Sequence, residues 1–353
     1  MLSSSVARAA RVFTPYVPRR FASVHVRDAI NEGLAEEMEL NNKVFLMGEE
    51  VGQYQGAYKV TRGLLDRFGP KRVIDTPITE MGITGLCVGA GMGGLVPVCE
   101  FMTFNFAMQS IDQILNSAAK THYMSGGTTA PINVVFRGPN GAAAAVAAQH
   151  SQDYTSWYGA IPGLKVLAPW SSEDAKGMIK AACRDPNPTV VLENEMLYGE
   201  AFEVSEDFHK PEFITPIGKA KIEREGTDAT IVTYSRNVGL SLEAAEQLKK
   251  EHNVDVEVIN LRTIKPLDVE TVVNSVKKTG RAISVDSSFP AFGFGSELCG
   301  IIMESEAFDY LDSPVVRVTG ADVPTPYASN LEAMAFPQVP IIKDAVKKAL
   351  YME

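Results

Sequence analysis

Two stretches of this 353-residue chain put proton-moving groups beside turns that end apolar runs, and a third sets an acid in a turn. In DTPITEMGITG (75–85) a strand end and a proline turn deliver Glu80 to the start of an apolar helix. The positive end of a helix favours a carboxylate there by about 0.3–1 kcal/mol. A surround of glycine and aliphatic residues disfavours the charged form. A carboxyl group caught between these effects shares its proton near neutrality, as acid–base chemistry requires. The plainer use of Glu80 is as a helix-end acid only. In FRGPNGAAAAVAAQHSQ (136–152) an apolar strand is followed by Gly138, Pro139 and Gly141, then by small residues that end at His150. The carboxyl end of a strand is where open α/β sheets bind ligands; taken alone, His150 equally suits a surface or capping role. His25, His209 and His252 lack such a context, and His122 in KTHYMSGG stays open. The third stretch, CRDPNP (183–188), is by itself a plain turn on Asp185, Pro186 and Asn187.

Two other patterns carry less. GAGMGG (89–94) matches GxGxxG formally, but the preceding MGITGLCV reads as helix. Dinucleotide binding needs those glycines at a strand-to-helix turn, so here they serve close helix packing and argue against a nicotinamide dehydrogenase. Cys87, Cys99, Cys183 and Cys299 lie far apart, with no CxxC pair. That spacing suits reduced thiols acting as small apolar groups rather than a zinc site or disulfide framework.

The elements that must position these groups alternate. Residues 26–41 place Ala29, Ile30, Leu34 and Met38 at helical spacing. KVFLMGEE (43–50), VIDT (73–76), INVVFRG (132–138), LKVLAPW (164–170) and TVVLENE (189–195) read as buried strands. Between the last two, SSEDAKGMIKAACR opens on Ser171 or Ser172 as N-cap, with acids in its first turn. Strands alternating with helices imply a doubly wound parallel sheet. The charged, proline-bearing stretch 203–217 fits an interdomain connection. A second, smaller α/β series follows: strands over 228–235, 254–261, 281–288 and 314–320, helices over 238–252, 269–278 and 340–351, and FGFG (292–295) opening another helix.

Composition is globular, 45% hydrophobic and 22% charged, and the length suits about two domains. A net charge of −10 argues against a nucleic-acid binder, which needs surplus Lys and Arg. No apolar run approaches the roughly 18 residues of a membrane span. Before Asp28 the chain holds Arg8, Arg11, Arg19, Arg20, Arg27 and Ser3 to Ser5, with no acid. That is the profile of an organelle transit peptide, the alternative being a basic arm. The expected division is 1–22 transit peptide, 23–202 first domain, 203–217 linker and 218–353 second domain.

GEEVGQYQGAYKVTRGL (48–64), RVIDTPITEMGITG (72–85), CEFMTFNFAMQSIDQILNSAAKTHYMSGG (99–127), FRGPNGAAAAVAAQHSQDYTSWYG (136–159), GLKVLAPWSSEDAKGMIKAACRDPNP (163–188) and VRVTGADVPTPYA (316–328) closely resemble the beta subunits of mitochondrial 2-oxoacid dehydrogenases of the pyruvate type. The resemblance runs over nearly the whole chain after its first segment. It implies a thiamine pyrimidine-binding domain followed by a transketolase-type C-terminal domain. It also implies a working α2β2 heterotetramer in the mitochondrial matrix, attached to a dihydrolipoyl acetyltransferase core, which takes pyruvate to carbon dioxide and an acetyl group.

The same resemblance assigns residues. Glu80 hydrogen-bonds a pyrimidine nitrogen of thiamine diphosphate and shares a proton with it, which primes the cofactor to attack the substrate ketone. Phe106 packs on the aminopyrimidine, with Gln109 nearby. His150 donates a proton as the lipoyl group accepts the acetyl fragment. CRDPNP becomes a potassium loop, with main-chain oxygens of Val134, Ala182 and Cys183 joined by Asp185 and Asn187; hard oxygen ligands suit such a cation. Thiamine enzymes hold the diphosphate through a divalent metal on a GDG-type motif, and this chain contains no GDG. An alpha subunit is therefore expected to bring magnesium and the diphosphate site. The readings left beside this one are a branched-chain 2-oxoacid dehydrogenase beta subunit and a non-catalytic tether, which would have no need of Glu80.

Overall fold

Apolar runs of about five residues, too short for stable helices, become parallel strands when both faces can be covered. In the computed structural model, which describes residues 23–352, fourteen strands form. They are β1 (Ser23–His25), β2 (Val44–Gly48), β3 (Val73–Asp75), β4 (Val96–Glu100), β5 (Val135–Pro139), β6 (Lys165–Leu167), β7 (Thr189–Glu193), β8 (Ala201–Glu203), β9 (Lys221–Arg224), β10 (Ala229–Thr233), β11 (Val256–Asn260), β12 (Thr263–Lys265), β13 (Ala282–Val285) and β14 (Val316–Val318).

Seven strands make the first sheet in the order β12-β6-β7-β5-β4-β2-β3, parallel throughout except for β12 on β6. Helices cover both faces. Val26–Leu40 and Ser172–Arg184 pack together on one, over Leu46, Val98, Val135 and Val191. Glu80–Met92 and the segment from Phe104 cover the other, over Cys99, Phe136 and Val190. Neighbours such as Val98 and Cys99 serve opposite cores, as the period-two pleat demands. The second sheet, β14-β13-β10-β11-β9, is parallel but for its edge strand β9. It carries Asn237–His252 and Val339–Ala349 on one face and Val269–Thr279 and Phe294–Met303 on the other. β1 and β8 pair separately, antiparallel. Among the described residues no helix is long and apolar enough to cross a membrane.

Local choices follow the expected chemistry. Ser171, rather than Ser172, caps its helix: its hydroxyl accepts from Asp174 N at 3.2 Å in a capping box. Ser172 instead donates to Val24 O at 2.6 Å. Gly91 lies within the Glu80–Met92 helix, which ends at Gly93; a Cβ on Gly91 would sit 3.1 Å from Ile132 and 3.3 Å from Asn133 O. Close packing is what that glycine permits.

The architecture departs from the sequence reading at several points, β4 and β12 among them. β4 contains Pro97, which lacks a ladder donor and argues against a central strand, yet β4 lies between β2 and β5. β12 follows β11 of the second sheet but pairs antiparallel with β6 of the first, so the two layers share a strand connection. Pro266, directly after β12, is tolerated because β12 is an edge. The 203–217 stretch lies against the first domain: Phe208 is buried beside Ala29, and the buried ammonium groups of Lys176 and Lys180 donate to Phe208 O and Pro211 O, at 2.7 and 2.8 Å.

Candidate active half-site

The carboxyl ends of β2, β3, β4 and β5 point the same way, and the loops that leave them carry the candidate groups. After β3 the chain turns at Pro77, and Glu80 begins its helix with only 6% of its surface exposed. Neither Thr79 nor another side chain caps that end, and no hydrogen-bond partner of the Glu80 carboxylate is seen among the described residues. Its oxygens, unlike Oε1 of Glu49, are not sealed from solvent, so this carboxylate is open to a donor from a ligand.

Directly after β2 stands a second acid that the sequence reading passed over. Glu49 is 7% exposed, and its Oε1 is buried without a partner. Burial first, then the charge of Glu80, pushes its carboxyl above the usual range. The two acids are thus both buried, and near enough for the charge of Glu80 to act on Glu49. The signal was an acid one residue past a buried strand.

Phe106 lies in a short 3-10 segment, Phe104–Ser110, that packs on the Glu80–Met92 helix through Ile83, Cys87, Phe104 and Ala107. Its ring meets the His150 imidazole edge-on, with centroids 5.2 Å apart and an interplanar angle of 89°. Asn105 fastens the two loops together. Its Oδ1 accepts from Gln152 N at 3.0 Å, while its Nδ2 donates to Thr103 Oγ1 at 2.7 Å. The structure thus joins Phe106 to His150 and sets Glu80 on the packed neighbouring helix. Gln109 is exposed on the same 3-10 segment and shows no contact with these groups. His122, left open by sequence, shares a 2.9 Å hydrogen bond with Thr129 O in a surface turn.

Beneath these loops, Arg137 of β5 is 1% exposed and pairs with Glu100 at the end of β4 and Glu193 at the end of β7. Tyr198 OH donates to Glu193 Oε2 at 2.6 Å. A Cβ on Gly138 would lie 2.5 Å from Phe101 O, so glycine lets β5 approach the chain leaving β4. This ion cluster ties β5 to the ends of β4 and β7, and β4 and β5 lead into the segments that carry Phe106 and His150.

The CRDPNP loop lies at the opposite, amino-terminal edge of the sheet. Val134 immediately precedes β5, and Asp185 ends the Ser172–Arg184 helix. Val134 O accepts from Thr189 N at 2.9 Å, Cys183 O from Asn133 Nδ2 at 2.9 Å, and Ala182 O from Asp185 N at 3.3 Å. Each carbonyl keeps a second lone pair. Asn133 Oδ1, missed by sequence, is buried with no partner. Asp185 accepts from Asn187 N and Nδ2, each at 2.9 Å, and pairs with Lys165. Burial works to raise its carboxyl, but the bonds from Lys165 and Asn187 overcome that and hold it below the usual range. Each group of this loop therefore already has a protein partner, apart from the Asn133 Oδ1 acceptor.

A doubly wound sheet with an acid at one helix start, joined to a second α/β layer, is the form of a transketolase-type chain. The family described as "Transketolase, pyrimidine binding domain" matches residues 22–200, and "Transketolase, C-terminal domain" matches residues 218–342. A solved structure described as a split-gene transketolase, an inactive beta4 tetramer, superposes with a TM-score of 0.74 over 93% of this chain and 99% of that one; at 21% identity it speaks for the fold alone. The chain belongs to the family of mitochondrial pyruvate dehydrogenase E1 component beta subunits. It is 67% identical over 325 residues to the member from Chaetomium thermophilum, covering 92% of this chain and 85% of that one. Identity to the Saccharomyces cerevisiae member is 64% over 337 residues, covering 95% and 92%. For the Homo sapiens member it is 58% over 356 residues, covering 99% of both.

Proposed function

We propose that this chain supplies the pyrimidine-binding half of a thiamine diphosphate site and, with an alpha subunit, converts pyruvate to carbon dioxide and an acetyl group delivered to the lipoyl group of a dihydrolipoyl acetyltransferase. The observation that carries this is Glu80, a buried carboxylate at a helix start with no protein donor. Once bound, thiamine diphosphate supplies the electron sink for decarboxylation. This chain's part is to hold and protonate. Glu80 accepts from the pyrimidine and exchanges a proton with it, beside Glu49, which burial keeps inclined to its neutral form. Phe106 and Gln109 bound the pyrimidine side. His150, steadied edge-on by Phe106, gives a proton toward the lipoyl group as the acetyl fragment leaves.

The alpha subunit provides magnesium and the diphosphate site, since this chain has no GDG motif. Support for such an assembly comes from the apolar side chains left on and beside the Glu80 helix, with Ile78 82%, Leu86 64% and Met81 58% exposed. In this reading residues 1–22, which lie outside the described residues, are a mitochondrial transit peptide and the enzyme works in the matrix. Residues 23–202 and 218–353 are its two domains, joined by 203–217. Val134, Ala182, Cys183, Asp185 and Asn187 hold potassium.

The test is co-expression with an alpha subunit and a thiamine-dependent pyruvate assay. Glu80→Gln is expected to assemble the same heterotetramer and lose nearly all turnover. Undiminished turnover in that variant, or tight cofactor binding by this chain alone, would overturn the half-site reading.

A further inference from the structure

The loop that carries His150 holds a conformation its own sequence does not favour. Its base is closed by Gly141 N donating to Gln152 O at 2.9 Å. Within it, Ala145 has φ of +53° and Ala147 has φ of +66° with ψ of −169°. The second of these is a region that essentially only glycine occupies, and such residues persist only where their surroundings over-determine them. Ala147 O is also the pivot of the turn that presents the imidazole, accepting from His150 N at 3.2 Å and from Ser151 Oγ at 2.9 Å.

The outside contact comes from the other domain. Glu332, in the helix Ser329–Ala335, directs both carboxylate oxygens at Ala145 N, at 3.1 and 3.0 Å. The half-buried guanidinium of Arg236 attracts the same carboxylate. A charged acceptor on a backbone amide is a strong hydrogen bond, and here it grips the strained loop two residues before its pivot.

We infer that Glu332 is a positioning residue, a latch by which the C-terminal domain sets the His150 loop for transfer to the lipoyl group. The inference rests on the role proposed above for His150. Its test uses the heterotetramer in two measurements. Hydrogen exchange of the peptide spanning 141–153 reads the latch without reference to catalysis. The ratio of lipoyl-domain acetylation to pyruvate decarboxylation with a soluble dye as electron acceptor reads its use. In Glu332→Ala, exchange should quicken at least about fivefold and the ratio fall about tenfold, while Glu332→Gln, which keeps an acceptor oxygen, restores most of both. Unchanged exchange in Glu332→Ala overturns the latch. Faster exchange with an unchanged ratio, or with both rates falling in parallel, overturns the positioning role. A wild-type enzyme unable to acetylate the lipoyl domain would count against the proposed function instead.

Discussion

The hydroxyl of Tyr234, one residue past β10, donates to Asp153 Oδ2 at 3.1 Å and so ties the second sheet to the chain three residues beyond His150. Tyr234 is 1% exposed, and burial, with the Asp153 charge behind it, pushes its phenol well above the usual range. It therefore remains a donor at any working pH. The other Asp153 oxygen accepts from Asn140 Nδ2 at 3.1 Å and Thr155 N at 2.9 Å. Tyr234→Phe should leave Asp153 Oδ2 short of a partner and cost about 1–3 kcal/mol, measured as a lower thermal midpoint of the heterotetramer. An unchanged midpoint would remove this bond from the interdomain account.

Asp286, just past β13, makes stability depend on pH in an unusual direction. Burial, with the Asp153 charge adding to it, raises its carboxyl to about 7, against bonds from Ser288 and Gly295 N that work to lower it. The folded chain thus binds this proton more tightly than the unfolded one. The contribution is fully present below about pH 4 and is lost as pH rises through 7. Between pH 5 and 7 the loss is about 2 kcal/mol. Asp286→Asn should flatten denaturation midpoints over that range, and a slope identical to wild type would show that Asp286 does not titrate there.

Much of this architecture is legible from short-range pattern. The capped helix at Ser171, the buried runs of β2, β5 and β7, and the acid opening the TPITEMG helix each follow from a few adjacent residues. What escapes the sequence is decided by distance. β12 has only three residues, and its partner β6 lies in the other half of the chain. Glu332 meets Ala145 across 187 positions, and no local feature of YASNLEAMA announces it. Glu49 was findable, being an acid at a strand's carboxyl end, but its pressure toward the neutral form comes from burial and from Glu80, 31 positions on. Pattern shows which groups can do chemistry; packing decides which of them keep their protons.

Arg137 lies between two buried carboxylates, so removing it should be far worse than removing the whole cluster. Arg137→Met leaves Glu100 and Glu193 facing each other in a site where each is under a tenth exposed. Losing one partner of a buried pair costs about 3–5 kcal/mol. Adding Glu100→Gln and Glu193→Gln should return much of that, because no buried charge is then left unpaired. Chemical denaturation of the single and triple variants compares them directly. A triple variant less stable than the single one would contradict the electrostatic explanation.

The CRDPNP loop offers a measurement independent of turnover. If Val134, Ala182 and Cys183 carbonyls, with Asp185 and Asn187, hold potassium, the ion binds the folded chain alone, because those oxygens converge only when β5 and the Ser172–Arg184 helix are packed. At ten times its dissociation constant a ligand stabilises by about 1.4 kcal/mol, so replacing potassium with choline at equal ionic strength should lower the thermal midpoint by a few degrees. Asp185→Ala should lower the midpoint in both salts, because Lys165 loses its partner as well. It should also abolish the difference between them. A potassium effect that survives Asp185→Ala undiminished would move the site elsewhere, and no potassium effect in the wild-type chain would return CRDPNP to an ordinary turn.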